Sequence, residues 1–207
     1  MPRPRPEITF PDVEAAHVRA AYAEARAILE YGSGGSTVMA AEMAGKYILS
    51  VESDRAWAMS LQLYLDEAEI RSAATVWHVD IGETGDWGRP RDHTAWRQFP
   101  SYAMGIWEEP FFRHPDVILI DGRFRAACLL TAALRIERPV TVLFDDYYDR
   151  PRYHAVEEVI APTRQIGRMA EFALTPGGVS PQAVTHLVQS FSDANFAETD
   201  ARKAATP

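Results

Sequence analysis

Cysteine is nearly absent: Cys128 stands alone among 207 residues, so an intrachain disulfide is impossible and a Cys-rich zinc site is out. The six histidines show no His-x₃₋₅-His spacing, which removes the commonest alternative zinc arrangement. No Gly-Lys-Ser/Thr triplet closes a glycine-rich loop, so the chain has no P-loop. No apolar run reaches the roughly 20 residues of a membrane-spanning helix. The opening MPRPRPEITF carries charge but lacks the apolar stretch of a signal peptide. Positive charge is also scarce. Lys and Arg number 21 against 29 Asp and Glu, for a net charge of −8. That balance argues against nucleic-acid or membrane partners, while leaving room for a local basic cleft. Together these absences predict a soluble, cytoplasmic protein.

What remains is a chain with 47% hydrophobic residues, enough for one core, and no internal repeat or domain boundary, so 1–207 reads as one domain. Apolar runs at 27–30, 47–51, 74–80, 117–120, 140–144 and 168–174 read as strands. Helical patterns lie between them, at 12–25, 36–44, 54–69, 125–136, 151–160 and 180–191. Asp12 is expected to cap the first helix, with Val13, Ala16, Ala20 and Ala23 on its apolar face. Strands alternating with helices indicate βαβ units and a mainly parallel sheet. Residues 1–10 form an expected extended arm, 82–112 an insertion with a short helix near 102–109, and 198–207 a frayed tail.

The segment Glu30-Tyr31-Gly32-Ser33-Gly34-Gly35-Ser36-Thr37 falls at the first strand-to-helix turn. Glycines there allow a tight turn and let a ligand approach without meeting a Cβ. Amides opening the next helix carry partial positive charge. Glu52 ends the second strand 20 residues after Gly32, the spacing at which an α/β nucleotide site places an acid on ribose hydroxyls. A dinucleotide fingerprint would have glycine where Thr37 stands. Glu30 would repel a pyrophosphate and suits the ammonium of a methionine moiety. These features favour S-adenosylmethionine over NAD.

On these residues the chain resembles the class I, Rossmann-like methyltransferases, whose first motif has the form acidic-x-Gly-x-Gly-x-Gly. Glu30, Gly32 and Gly34 match it, Ser36 takes the last glycine place, and Glu52 matches the second acidic position. More narrowly, the segments EYGSGGST, HVDIGETGDWG, VILIDGRFR and DDYYDRPRYHAVEE are similar to a bacterial group of methyltransferase-like proteins. The resemblance implies an α/β three-layer αβα sandwich. Its seven-stranded sheet would be mainly parallel, with an antiparallel strand near the C-terminus. It implies a cofactor site of Glu30, Gly32, Ser33, Gly34, Ser36, Glu52, Ser53, Asp80, Asp86, Trp87 and Asp121, with Asp80, Asp86 and Trp87 at the adenine.

Acids close nearly every expected strand: Glu30, Glu52, Asp80, Asp121 and Asp145-Asp146. Buried acids need partners or a ligand, although several of these could simply cap helices. By similarity to catechol-type methyltransferases, Asp121, Asp145 and Asp146 form a candidate Mg²⁺ site, with Asp in place of the usual Asn. Asp121, Asp145 and His154 are the candidate catalytic residues, His154 as general base or as an ordinary half-buried histidine. Arg123 and Arg125 would bind an acidic substrate or pair with the neighbouring carboxylates. The insertion, with Trp96, Tyr102 and Trp107, would cover the cofactor and shape a small-molecule pocket, or else form a homodimer contact. Three functions follow: a small-molecule methyltransferase acting at oxygen, a non-catalytic binder of the cofactor or its product, and, less favoured, an NAD-dependent oxidoreductase.

Overall fold

A computed structural model describes residues 4–192 and 194–197. The tail expected over 198–207 and the first residues of the arm lie outside that range. Five apolar segments form parallel strands: β1 (Ala27–Tyr31), β2 (Tyr47–Glu52), β3 (Ala73–His78), β4 (Val117–Ile120) and β5 (Val140–Phe144). Every residue of β1 and β4 is buried, which is why their sequences run apolar without alternation. Two antiparallel strands complete the sheet, β6 (Arg164–Ile166) and β7 (Met169–Leu174), in the order β3-β2-β1-β4-β5-β7-β6. The three-residue β6 has two exposed residues and left no apolar signature.

Alternation along the strands assigns the layers. Ile28, Ile48 and Leu119 face α1 (Asp12–Glu24) and α2 (Gly35–Glu42), and Ala74 and Val76 face α3 (Arg55–Glu67). Leu29, Tyr31, Val51, Ile118 and Phe144 face the opposite way, toward α4 (Phe99–Met104), α5 (Arg125–Arg135) and α6 (Ala183–Ser190). The result is a three-layer sandwich.

Four local expectations change. Pro11, not Asp12, occupies the N-cap of α1, and no side chain caps the helix. Its buried face is Glu14, Val18 and Tyr22, whereas Val13 is 64% exposed. The alanine-lined stripe had little surface to bury, so the bulkier residues at four-residue spacing turned inward. Pro151–Glu158 is a 3₁₀ segment burying only Val156, too little apolar surface to favour a longer α-helix. Within the insertion, Phe99, Tyr102, Ala103 and Ile106 are core residues under the sheet, and Trp107 donates from its buried indole to Tyr31 Oη at 2.8 Å. Of Trp96, Tyr102 and Trp107, Trp96 alone, 56% exposed, stands on the surface as lid material would.

Candidate functional site

The strand order reverses between β1 and β4, because β1 leads outward to β2 while β4 leads to β5 on the other side. Loops leaving neighbouring strands in opposite directions open a crevice at the carboxyl edge, where α/β sheets bind ligands. A cavity of about 380 Å³ lies at this point, within the range of small-molecule sites.

Its floor is two glycines in contact. Gly32 has φ +97°, and a Cβ there would lie 2.7 Å from the Gly122 amide nitrogen, so both turns need a residue without a side chain. Gly32 N–H donates to Val51 O and Asp121 N–H to Tyr31 O, each at 2.9 Å, which fixes both loops to the sheet. Glu52, 7% exposed, forms one wall. Its Oε2 accepts from the Ser33 hydroxyl at 2.9 Å, and its Oε1 from the Ser53 and Asp54 amides at 2.7 and 2.8 Å. The Ser53 hydroxyl donates to Gly88 O, holding the Gly85–Gly88 turn against β2 and presenting Trp87, at φ +62° and 76% exposed, on the rim.

The cavity thus gathers Gly32, Ser33, Gly34, Ser36, Glu52, Ser53, Trp87 and Asp121 from the sequence-derived set. Tyr102 and Arg123 join them from the residues expected on the substrate side, whereas Trp57 and the arm were not anticipated. Trp57, on the first turn of α3, donates its indole N–H to Ser33 O at 2.9 Å. Tyr102 and Arg123 line the far side, where the Arg123 amide donates to Tyr102 Oη. The arm segment 6–10 supplies a wall, packed so tightly on the turn that a Cβ at Gly35 would overlap the Glu7 backbone. Ile8 and Phe10 were the signal: apolar residues in an otherwise polar, proline-rich arm, both packed against the core.

Other candidates lie outside the cavity lining. Glu30 shares the β1 face of Ile28, so its carboxylate turns down between α1 and α2 and accepts from Tyr22 Oη at 2.7 Å and from the Thr37 hydroxyl. Burial pushes its carboxyl above the ordinary value, while the Thr37 and Tyr22 bonds act the other way. It braces the turn from beneath. Asp80 accepts from the Gly82 amide in a surface turn, and Asp86 is exposed. His154 points its Nε2 at Tyr147 O, 3.2 Å away, and packs on the Tyr147 ring. The Cys128 thiol is raised well above its ordinary pKa, chiefly by burial.

Carboxylate oxygens of Asp121, Asp145 and Asp146 approach within 4.8 Å of one another, the grouping a divalent cation would require. Each, however, is already paired. Arg168 grips Asp145 through Nε and Nη2 at 3.0 and 2.7 Å. Arg125 reaches Asp121 at 2.9 Å and Asp146 at 3.2 Å, and Arg150 reaches Asp146 at 2.6 Å. Three guanidinium groups supply the charge a Mg²⁺ ion would bring and occupy the oxygens it would need, so this donor set does not fit the metal. Asp121 alone turns toward the cavity, 30% exposed. Desolvation by the surrounding protein raises its carboxyl to about 7, helped by Asp145 and Asp146 and opposed by Arg125.

Among known structures, the fold is similar to that of a methyltransferase-like protein from Silicibacter pomeroyi. The two share 48% sequence identity over 90% of this chain and 97% of that one, with a TM-score of 0.86. The cofactor-bound protein Rv0187 from MTB shares the fold at a TM-score of 0.52 and 16% identity, over 83% of each chain. No protein-family model matches the chain, and no curated protein does. Among the described residues, no helix is long and apolar enough to cross a membrane.

Proposed function

The chain belongs to a family of methyltransferase-like proteins with a Rossmann-like fold, and from that premise we propose that it binds S-adenosylmethionine at the β1/β4 switch point and methylates an oxygen of a small molecule. The observation that carries this reading is the charge of the cavity. Among the described residues, Glu7, Glu52, Asp54 and Asp121 line it against one cation, Arg123. A lining of that sign attracts a sulfonium and ammonium and repels the diphosphate of NAD. Thr37, in the place of the third dinucleotide glycine, is fully buried on Glu30.

When bound, the cofactor supplies an electrophilic methyl, so the protein's work is alignment and exclusion of water. Glu52 and Ser33 would hold the ribose hydroxyls, and Trp57 and Trp87 would frame the base. The floor of Gly32 and Gly122 admits the ligand close to the strand ends. Asp121 would take the proton of the acceptor hydroxyl, since a base near pH 7 best combines availability with driving force. Asp145 acts through Arg168 as scaffolding. The turning of His154 toward a backbone carbonyl favours one second reading, a binder without turnover, because no histidine among the described residues then lines the cavity.

A thermal-shift panel with adenosylmethionine, adenosylhomocysteine and NAD tests the cofactor reading. Ligand at 100 times its Kd should stabilise the fold by about 2.7 kcal/mol. Shifts are expected with both adenosyl compounds. A shift with NAD alone, or none at all, overturns the reading.

A further inference from the structure

Beside the acid-lined cavity lies a region of opposite charge. A second, narrower cleft shares Gly122 and Arg123 with the cavity and is walled by Arg125, Arg152 and Tyr153. It adjoins a surface cleft lined by Arg89, Arg150 and Arg152, with Asn195 common to both. In a chain of net charge −8 this concentration of guanidinium groups requires an explanation.

The acids described above account for two of these five: Arg125 and Arg150 are paired with Asp121 and Asp146. Arg89, Arg123 and Arg152 have no carboxylate within ion-pair distance among the described residues. The Nε atoms of Arg89 and Arg123 are moreover buried without a hydrogen-bond partner. A guanidinium withdrawn from water and left unpaired is costly, and such groups are retained where a ligand completes them. Burial indeed holds the Arg123 pKa below its ordinary value, with Arg125 adding to the effect. Tyr153 responds in kind. Burial pushes its hydroxyl up, yet Arg125, Arg152 and Arg150 more than offset this and bring its pKa below the usual range.

We propose that the methyl acceptor is an anion whose carboxylate or phosphate is held by Arg89, Arg123 and Arg152, with its nucleophilic oxygen directed past Gly122 into the cofactor cavity. This deepens the methyl-transfer reading and rests on it. Guanidinium forks match both oxyanions, and the shared wall at Gly122 and Arg123 brings the acceptor against the Asp121 side of the cavity. Opposite charges in adjoining compartments would also orient the two reactants: the cation enters one and the anion the other.

Calorimetric titration of the adenosylhomocysteine-loaded protein with inorganic phosphate, 4-hydroxybenzoate and neutral 4-hydroxybenzamide tests this. At least one anion should bind saturably, and the benzamide should not. Tighter phosphate binding indicates a phosphate monoester acceptor, and tighter hydroxybenzoate a carboxylate. Arg89→Gln and Arg152→Gln should each weaken the anion at least tenfold while leaving adenosylhomocysteine affinity within twofold. Neither residue lines the cofactor cavity, and Arg152 is exposed, so folding is not at stake there. Absence of saturable anion binding, or equal binding by both variants and the parent, overturns the proposal. If adenosylhomocysteine fails to bind the parent, the cofactor reading has failed instead, and the same titrations on the unliganded protein decide the anion site alone.

Discussion

Glu52 and Asp145 occupy equivalent places, at the carboxyl ends of β2 and β5, and are buried to 7% and 1% exposure. Their partners differ in kind. Glu52 is held by neutral donors, the hydroxyl of Ser33 and three backbone amides. Asp145 is held by the Arg168 guanidinium through two bonds. An acid fixed by amides and hydroxyls keeps its negative charge for a ligand, whereas an acid locked to a guanidinium has given it to the fold. The two sides of the switch point therefore do different work: the β1–β2 side presents charge, and the β4–β5 side consumes it.

Breaking the Arg168 pair should have the largest effect. Arg168→Ala strands the Asp145 carboxylate in the interior, and because Arg168 itself is half-buried the loss should cost about 2–3 kcal/mol, below that of a fully enclosed pair. Urea denaturation of parent and variant measures it. A cost below about 1 kcal/mol would place this pair with exposed ones and remove the contrast with Glu52.

Glu52→Gln sharpens the same contrast from the other side. The amide keeps one acceptor oxygen for the Ser53 and Asp54 amides, but its NH₂ cannot accept from the Ser33 amide, so stability should fall by about 1 kcal/mol, less than for Arg168→Ala. Adenosylhomocysteine affinity, however, should fall by roughly tenfold or more, at least about 1.4 kcal/mol, measured by calorimetry. Unchanged affinity would mean that the carboxylate serves only the turn.

Asp121 sits on the border between the two sides, paired to Arg125 yet facing the cavity, and pH should separate its roles. Its folded pKa, about 7, lies above the unfolded value. The stability it contributes is therefore full below pH ~4 and lost as pH rises through about 7. Asp121→Asn should flatten that part of the stability profile. As proton acceptor it should also make turnover rise about tenfold per pH unit below 7 and level above it. A pH-independent rate removes it from the chemistry.

Much of this division was legible in the sequence, but unevenly. Apolar runs ending in acids marked β1, β2, β4 and β5 and their carboxyl edge, because strands buried on both faces leave no other pattern; β3, half-exposed, showed instead in its β-branched and aromatic residues. The place of Glu52 at the cavity edge of β2 followed from spacing alone. Glu30 did not, although period-two alternation through Ile28 already sends it to the α1 face, away from the cavity. The Asp121, Asp145 and Asp146 group looked like a metal site because sequence counts acids without showing which arginine reaches them. Arg168 is 22 residues from Asp146 and arrives only through the antiparallel pairing of β7 with β5. The α1 face was misread for want of a volume argument: Tyr22 outweighs four small or exposed positions.

The arm gives the smallest expected effect and isolates the one cavity wall that comes from outside the sheet and its loops. Arg5 bonds both oxygens of Glu42, at the end of α2, through Nε and Nη2 at 3.0 Å. Both side chains are more than 40% exposed, at 45% and 42%, so screening by water limits the pair to under about 1 kcal/mol. Glu42→Ala should leave global stability within about 0.5 kcal/mol of the parent. Yet the arm crosses the glycine turn over Gly35 and walls the cavity with residues 6–10. Releasing its anchor should act on the ligand more than on the fold, raising the adenosylhomocysteine off-rate severalfold and speeding proteolysis within residues 4–10. Ile8 and Phe10 still pack against the core, so the arm should loosen rather than detach. An off-rate unchanged by Glu42→Ala, with cleavage accelerated, would show that the arm covers the site without holding what lies in it.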